Sequence, residues 1–560
     1  MHVSQIGYHP AQRKIAVIEL DAADRAPRRA TLVRIGEDGR REPVLAATAT
    51  PWGPGTFLRY RYHHFDFSKV TREGVYEVTS GTARTEPFRI ARDVWKRHVW
   101  QPTLGVFLPV QMCHMRVVEK YKVWHGACHL DDALMAPTAT NHFDGYVQGA
   151  TTLTKWRPGE PVPGLNVGGW HDAGDDDLRI ESQAGEVYVL ALAYEAFGVR
   201  DDDTTIDEAR RVVEIRQPDG KPDILQQIAH GMRWAVGTWK ALGRLPRGVI
   251  VPTLRQYTMV GDVANQTDNV VCRQAGPGRA CDDRLVFTEV NPARALVAAA
   301  HLAAGARVLR GFDDALAGDG LRAAEAVWRA EEAAARAGGG GGDKEVAART
   351  HAAIELYLTT RKDEYRRAVI ESAPAISKQI AGLGWLIGRA LPTLNDATFT
   401  STVRDAVAKY AAEDRAAAAK NPFGVPYEPV IWGAGWGIQE HGVRLYFLHA
   451  AFPDLVGPDG ALAALNFVLG VHPGANTASF ASGVGARSMT TAYGWNRGDW
   501  SYIPGGVVSG TALIRPDFPE LKDFPFLWQQ GEYVMGGGAT NFMLLALAAE
   551  RMLEGGNAAK

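Results

Sequence analysis

A small β-sandwich followed by a much larger all-helical unit is the fold class the sequence predicts, and three observations predict it. Over the first ninety or so residues, apolar and polar side chains alternate with period two. Beyond them, apolar residues recur at helical spacing, and the texture changes once, after Pro87-Phe88-Arg89-Ile90. The division is therefore placed at 1–92 and 93–560.

In the first unit, Leu58, Tyr60 and Tyr62 alternate with Arg59 and Arg61, and Phe65 and Phe67 flank Asp66. Residues 14–20, 31–35 and 74–78 add short strands between Gly, Pro and Asp turns, so a small sandwich is the economical arrangement. In the second unit, Val187, Leu190, Tyr194 and Phe197 share one helical face, as do Leu225, Ile228, Met232, Ala235 and Trp239. The same pattern occupies 294–309, 321–337, 346–359, 441–451, 462–469 and 541–552, with no second β-block between them. The glycine run 338–342 has helical sequence of one character on both sides, which makes it a loop within one unit. Many helices joined by long, aromatic-bearing loops suggest a toroid whose loops build a cleft.

Composition narrows the function classes. At about 150 residues per domain, 560 residues give roughly four units, although a single large barrel absorbs most of that length. A balance of 61 Lys+Arg against 63 Asp+Glu offers no broad basic face for phosphates and argues against nucleic acid as the partner. The apolar run 542–549 is far shorter than the roughly 18 residues a membrane span needs. Met1-His2-Val3-Ser4-Gln5 enters strand-like sequence without a charged n-region or apolar h-region. The chain is thus cytoplasmic if Met1 is native, and secreted or periplasmic if a signal segment has been removed.

The most informative stretch is 168–177, reading Gly-Gly-Trp-His-Asp-Ala-Gly-Asp-Asp-Asp. Asp172 and Asp175, on a glycine-rich loop before a helix, can converge on one water, one orienting it while the other takes its proton. The competing explanation is a turn or a calcium loop. A partner acid is available in Glu532, set among Trp528, Tyr533, Val534 and Met535, where desolvation would raise a carboxyl pKa and keep it protonated near neutral pH. An ordinary ion-paired glutamate is the alternative.

Residues 168–175 resemble the GGW(Y/H)DAGD signature of glycoside hydrolase family 9, the cellulase family with an (α/α)6 barrel. The opening Val3-Ser4-Gln5-Ile6-Gly7-Tyr8-His9-Pro10 resembles the start of the immunoglobulin-like module that precedes the barrel in one subgroup, Trp432-Gly433 the late Trp-Gly loop, and 465–470 the late helix ending in Leu-Gly. The resemblance implies an immunoglobulin-like β-sandwich followed by an (α/α)6 barrel, and an inverting hydrolase of β-linked glucan or related oligosaccharides. It implies Asp175 as base, Asp172 as the second water-holding aspartate and Glu532 as acid. Inversion would put base and acid roughly 6.5 to 9.5 Å apart. The rivals are an exo-acting glycosidase on short or amino-substituted oligosaccharides and a non-catalytic carbohydrate binder on the same fold.

Cys113, the pair Cys128-His129 and His171 make a Cys2His2 set suited to tetrahedral zinc, and the same four positions resemble the structural zinc site of that subgroup. On the residues alone, two buried thiols and two core histidines is the alternative. Cys272 and Cys281 bracket a Gly/Pro/Arg loop and are either a local disulfide or two thiols. Trp170, Trp432, Tyr493 and Trp495 stand on candidate cleft loops, where a sugar face could stack on them or they could simply fill the core. Where the family has a His-His-Arg substrate motif, this chain has Tyr493-Gly494-Trp495-Asn496-Arg497, and only Arg497 lines up. Bulk there would narrow a groove to a pocket and favour short oligosaccharides.

Overall fold

The computed structural model describes the whole chain except residues 22, 25–27, 59, 144, 173–175, 253–262, 273–280, 339–340, 429, 431–432, 475, 490–501, 512–532, 534, 536 and 555–560. Nine strands open it: β1 (Gly7–Tyr8), β2 (Ile15–Leu20), β3 (Arg29–Ile35), β4 (Arg41–Thr48), β5 (Thr50–Phe57), β6 (Tyr60–Asp66), β7 (Gly74–Ser80), β8 (Ala83–Arg84) and β9 (Phe88–Ile90). One sheet runs β1-β9-β7-β3-β4, with β8 on β7, and the other runs β2-β6-β5. Tyr8, Ile18, Leu32, Phe65, Phe67, Tyr76, Val78 and Phe88 fill the core between them. Strands β4 and β5 escape sequence reading for physical reasons. Most of β4 is exposed, and β5 carries Pro51, Gly53, Pro54 and Gly55 around a register shift between Pro51 and Thr56.

The β-module is seated on the helical unit. Val17, Trp52 and Tyr62 belong to the core of the latter. Phe57 and Tyr62 pack against Phe423 and Tyr427 at ring separations of 5.6–6.4 Å. Three bonds involve Gln5: its N–H donates to Leu469 O (2.7 Å), its side-chain amide to Thr477 O (2.8 Å), and its carbonyl accepts from Ala486 N (2.9 Å).

The helices are α1 (Leu108–Gln111), α2 (Ile180–Phe197), α3 (Asp223–Leu242), α4 (Pro292–Val308), α5 (Asp314–Gly338), α6 (Asp343–Thr360), α7 (Asp363–Glu371), α8 (Ala373–Lys378), α9 (Ile380–Leu394), α10 (Ala397–Ala418), α11 (Gly435–Ala451), α12 (Asp459–Val468) and α13 (Ala539–Glu554). Helix α2 packs on α4, α4 on α6, α6 on α9, α9 on α11, α11 on α13, and α13 on α2. Helices α3, α5, α10 and α12 lie against members of that series. The approach of α9 to α11 depends on Gly388, where an added Cβ would stand 2.9 Å from the Ala451 methyl.

The expectation of a second unit free of β-structure is corrected. Strands β10 (Arg116–Glu119), β11 (Lys122–His125), β12 (Leu134–Met135), β13 (Thr140–Asn141), β14 (Val147–Gln148), β15 (Leu178–Arg179), β16 (Thr204–Asp207), β17 (Val212–Ile215), β18 (Gly248–Ile250) and β19 (Leu285–Phe287) form small sheets within the interhelical loops. Each has four residues or fewer, too short to show a period.

A buried charge network ties four helices together. Glu355 of α6 accepts from the Tyr188 hydroxyl of α2 (2.7 Å) and is paired with Arg389 of α9 and Arg307 of α4. Burial alone would raise this carboxyl, but Arg389 and Arg307 outweigh it and hold the pKa at about 2. Removing one member of a buried ion pair leaves the others uncompensated, so Glu355→Gln is expected to lower unfolding free energy by about 3 to 5 kcal/mol in a denaturant titration. A loss under about 1 kcal/mol would contradict it. Because the folded pKa is depressed, the wild-type contribution is present above the ordinary glutamate range and fades as pH falls toward 2.

Candidate functional site

Backbone constraints fix the loop that precedes α2. Gly168 and Gly169 have φ of +67° and +79°, and a Cβ on Gly168 would lie 2.3 Å from His230 O. Only glycine fits there without moving α3. Cys113 N donates to Gly169 O (2.9 Å) and His171 N to Gln111 O (2.8 Å), so the stretch after α1 and the loop run as a short antiparallel pair. Gln183 of α2 holds both backbone groups of Trp170, accepting from its N–H (2.8 Å) and donating to its carbonyl (2.9 Å). His230 of α3 bonds to Gly169 O (2.8 Å).

Trp170 corrects an expectation. Its ring is completely buried, and its indole N–H donates to Gln227 Oε1 at 2.8 Å. It is a core residue that seats the loop on α3, and no face is left for a sugar.

The four zinc candidates converge. The ligand atoms of Cys113, Cys128, His129 and His171 all lie within 4.8 Å of one another, and all four residues are buried. Cys113 Sγ stands 4.0 Å from Cys128 Sγ and 3.8 Å from His129 Nδ1, and Cys128 Sγ stands 3.4 Å from His171 Nε2. Tetrahedral zinc with ordinary bond lengths would ask for about 3.8 Å between sulfurs and about 3.6 Å from sulfur to nitrogen. The donor set therefore fits the ion. Burial alone would raise the Cys113 thiol, yet the Cys128 hydrogen bond and the Arg284 guanidinium take it well below the ordinary range. Burial lowers His129 and His171, leaving neutral imidazoles ready to ligate. The Asp176 carboxylate lies 3.9 Å from His129 Nε2, the ring nitrogen other than the one that faces Cys113 Sγ.

Sequence reasoning missed Arg284. Completely buried, it donates to Cys113 Sγ (3.2 Å) and pairs with Asp132, which also meets His114 Nε2 at 3.1 Å. It stands 152 residues from Asp132 in the chain, and no local pattern marks such a pairing.

The loop that carries Asp172 meets two other interhelical segments. Asp172 is buried and pairs with Arg179, the residue just before α2. Its carbonyl accepts from Met535 N at 2.8 Å, which brings the segment leading into α13 against the loop. Tyr533 bridges Val508 through the backbone and bonds Ser482 Oγ through its hydroxyl (2.6 Å). Ser509 O accepts from Gly435 N, the first residue of α11 (2.9 Å). The approaches to α2, α11 and α13 thus meet. Asp175, Glu532, Trp432, Tyr493, Trp495 and Arg497 lie outside the described residues.

Two further groups bear on cations and redox state. Cys272 and Cys281 form a disulfide. Carboxylate oxygens of Asp131, Asp268 and Asp282 lie within 4.8 Å of one another, a set of hard donors of the kind calcium takes, and distinct from the 168–177 loop on which calcium was considered. Among the described residues, no helix is long and apolar enough to cross a membrane.

The chain is thus a helical unit in which the approaches to α2, α11 and α13 meet, with a β-module seated on it. The chain belongs to glycosyl hydrolase family 9: that family's model matches residues 107–507, and the cellulase N-terminal Ig-like domain matches residues 1–85. It is 27% identical over 500 residues to Endoglucanase C of Cellulomonas fimi, covering 83% of this chain and 42% of that protein. It is 23% identical to Endoglucanase D of Acetivibrio thermocellus, covering 93% of this chain and 79% of the relative. The chain therefore spans less than half the length of the first relative. A metagenome-derived glycoside hydrolase family 9 endoglucanase superposes with a TM-score of 0.71 at 22% identity over 98% of both chains. The protein is a glycoside hydrolase.

Proposed function

We propose that this enzyme cleaves β-1,4-linked glucan or related oligosaccharides with inversion, on an (α/α)6 barrel whose inner ring is α2, α4, α6, α9, α11 and α13. The observation that supports the reading is the bond from Met535 N to Asp172 O, between a residue three positions after Glu532 in the chain and one three positions before Asp175. In this reading Asp175 removes a proton from the attacking water, Asp172 holds that water, and Glu532 protonates the departing glycosidic oxygen. The endoglucanase relatives support a β-glucan as substrate.

Cys113, Cys128, His129 and His171 would hold a structural zinc. Bound there, the ion would supply folding energy and lock the loop at His171, next to Asp172; it would take no part in bond cleavage. The Cys272–Cys281 disulfide supports an oxidising, extracytoplasmic compartment.

The test is a panel of β-glucans, mannans, xylan and chitosan with products resolved by length and anomer. Freshly released ends should carry the α configuration in NMR spectra taken before mutarotation, because water attacks the face opposite the departing group. Release of β-anomers would remove the inverting mechanism. Viscosity against reducing ends separates cleavage within chains from cleavage at their ends.

A further inference from the structure

Arg284 stands where two parts of the molecule meet. It is completely buried and immediately precedes β19, and its carbonyl accepts from Leu134 N (2.9 Å), the first residue of β12. Strands β12, β19, β18 and β15 make one small sheet in that order. Strand β15 begins directly after Asp177, whose carboxylate accepts from Val251 N (2.8 Å), the residue that follows β18. The sheet that fixes the Arg284 backbone is thus the sheet into which the 168–177 loop runs. A side chain set on paired strands has a well-defined origin.

The three guanidinium nitrogens are divided among three partners. Nε lies 3.1 and 2.9 Å from the two oxygens of Asp132, and Nη2 completes the fork on that carboxylate. Nη2 also donates to Cys113 Sγ (3.2 Å), one of the four zinc candidates. Nη1 donates to the backbone carbonyl of Asp176. Asp132 alone would balance the charge, so the Nη1 bond is the informative one. It reaches the residue that directly follows Asp175 in the chain. Asp176 meets the cluster a second time through its carboxylate, 3.9 Å from His129 Nε2. A buried donor or acceptor left unpaired carries its full desolvation penalty, so this carbonyl is costly to move while the guanidinium is in place. A lysine ammonium lacks the planar fork and would not span all three partners at once.

We propose that Arg284 is a positioning residue for catalysis, its guanidinium coupling the thiolate cluster to the base-bearing loop and placing Asp175 by way of the Asp176 carbonyl. The proposal rests on the glycosidase reading given above. Arg284 exchanges no proton with substrate in it.

The experiment compares the wild type with Arg284→Lys and with the double variant Arg284→Met, Asp132→Asn, each assayed for zinc content. Arg284→Lys keeps the charge and loses the fork. The double variant removes both charges together, so a folded protein is available even if the single substitution leaves Asp132 too poorly paired to fold. In both, kcat per zinc-loaded molecule on the best β-glucan should fall about 10²-fold with KM within about twofold, the size of effect that a displaced reacting group produces. Hydrogen–deuterium exchange of the amides in 173–178 should quicken about tenfold, the equivalent of one lost hydrogen bond. A merely structural role would lower the melting temperature and leave kcat per zinc-loaded molecule near the wild-type value, and that result would overturn the proposal. Activity that is lost with the metal and returns in full when zinc is restored would overturn it too, because Arg284 would then act only by retaining the ion. Exchange separates this failure from that of the parent reading. Should the wild type hydrolyse no β-glucan, faster exchange over 173–178 in zinc-loaded variants would still support the coupling, and equal exchange would overturn it.

Discussion

Asp175→Asn and Glu532→Gln should each reduce turnover on the best β-glucan substrate by about 10²- to 10⁴-fold while leaving the melting temperature almost unchanged. Both substitutions keep the shape of the side chain and remove only its capacity to carry a proton. Asp172→Asn should behave differently. In the proposed mechanism it holds the attacking water, and its carboxylate is buried against Arg179, so neutralising it would disturb both the water and that ion pair. Activity and stability should fall together there. Near-parental rates in all three variants would end the catalytic assignment.

The second large effect concerns the thiolate cluster. Purified protein should carry about one zinc per chain, and Cys128→Ser should reduce that content and lower the melting temperature by on the order of 10 °C, because a structural ion contributes directly to folding. Activity should fall as a secondary effect, since His171 sits next to Asp172 and is fastened to α1 through Gln111. Metal analysis that finds no zinc in fully active protein would refute the assignment.

The parts of this molecule that could be read from sequence are those whose cause is local. Alternation in β2, β3, β6 and β7 and the helical spacing in α2 and α3 are properties of a few consecutive residues, and both patterns appear in the fold. The four zinc candidates were legible from chemistry and resemblance together, and they meet in space. Helix α9 was missed because Gly382, Gly384, Gly388 and Pro392 read as breakers, although one of them, Gly388, permits its close contact with α11. Helix α10 was missed despite a clear stripe of Phe399, Val403, Val407 and Ala411, hidden among alanines and charges. Trp170 was misassigned because a loop position does not reveal that α3 covers the indole. Arg284, Gln183 and Tyr533 act through contacts 13 to 171 residues away, which no local pattern records.

The three hydrogen bonds at Gln5 bear on how such proteins are inherited and recombined. They fasten the β-module to residues 469, 477 and 486, a stretch that runs directly into the loop carrying Tyr493, Trp495 and Arg497. The module is therefore a buttress for the stretch 469–486. A gene fragment encoding the helical unit alone would expose Phe423 and Tyr427 and release that stretch from its anchor. A module taken from a relative would seat on this helical unit only if the residues facing Gln5, Phe57 and Tyr62 matched it.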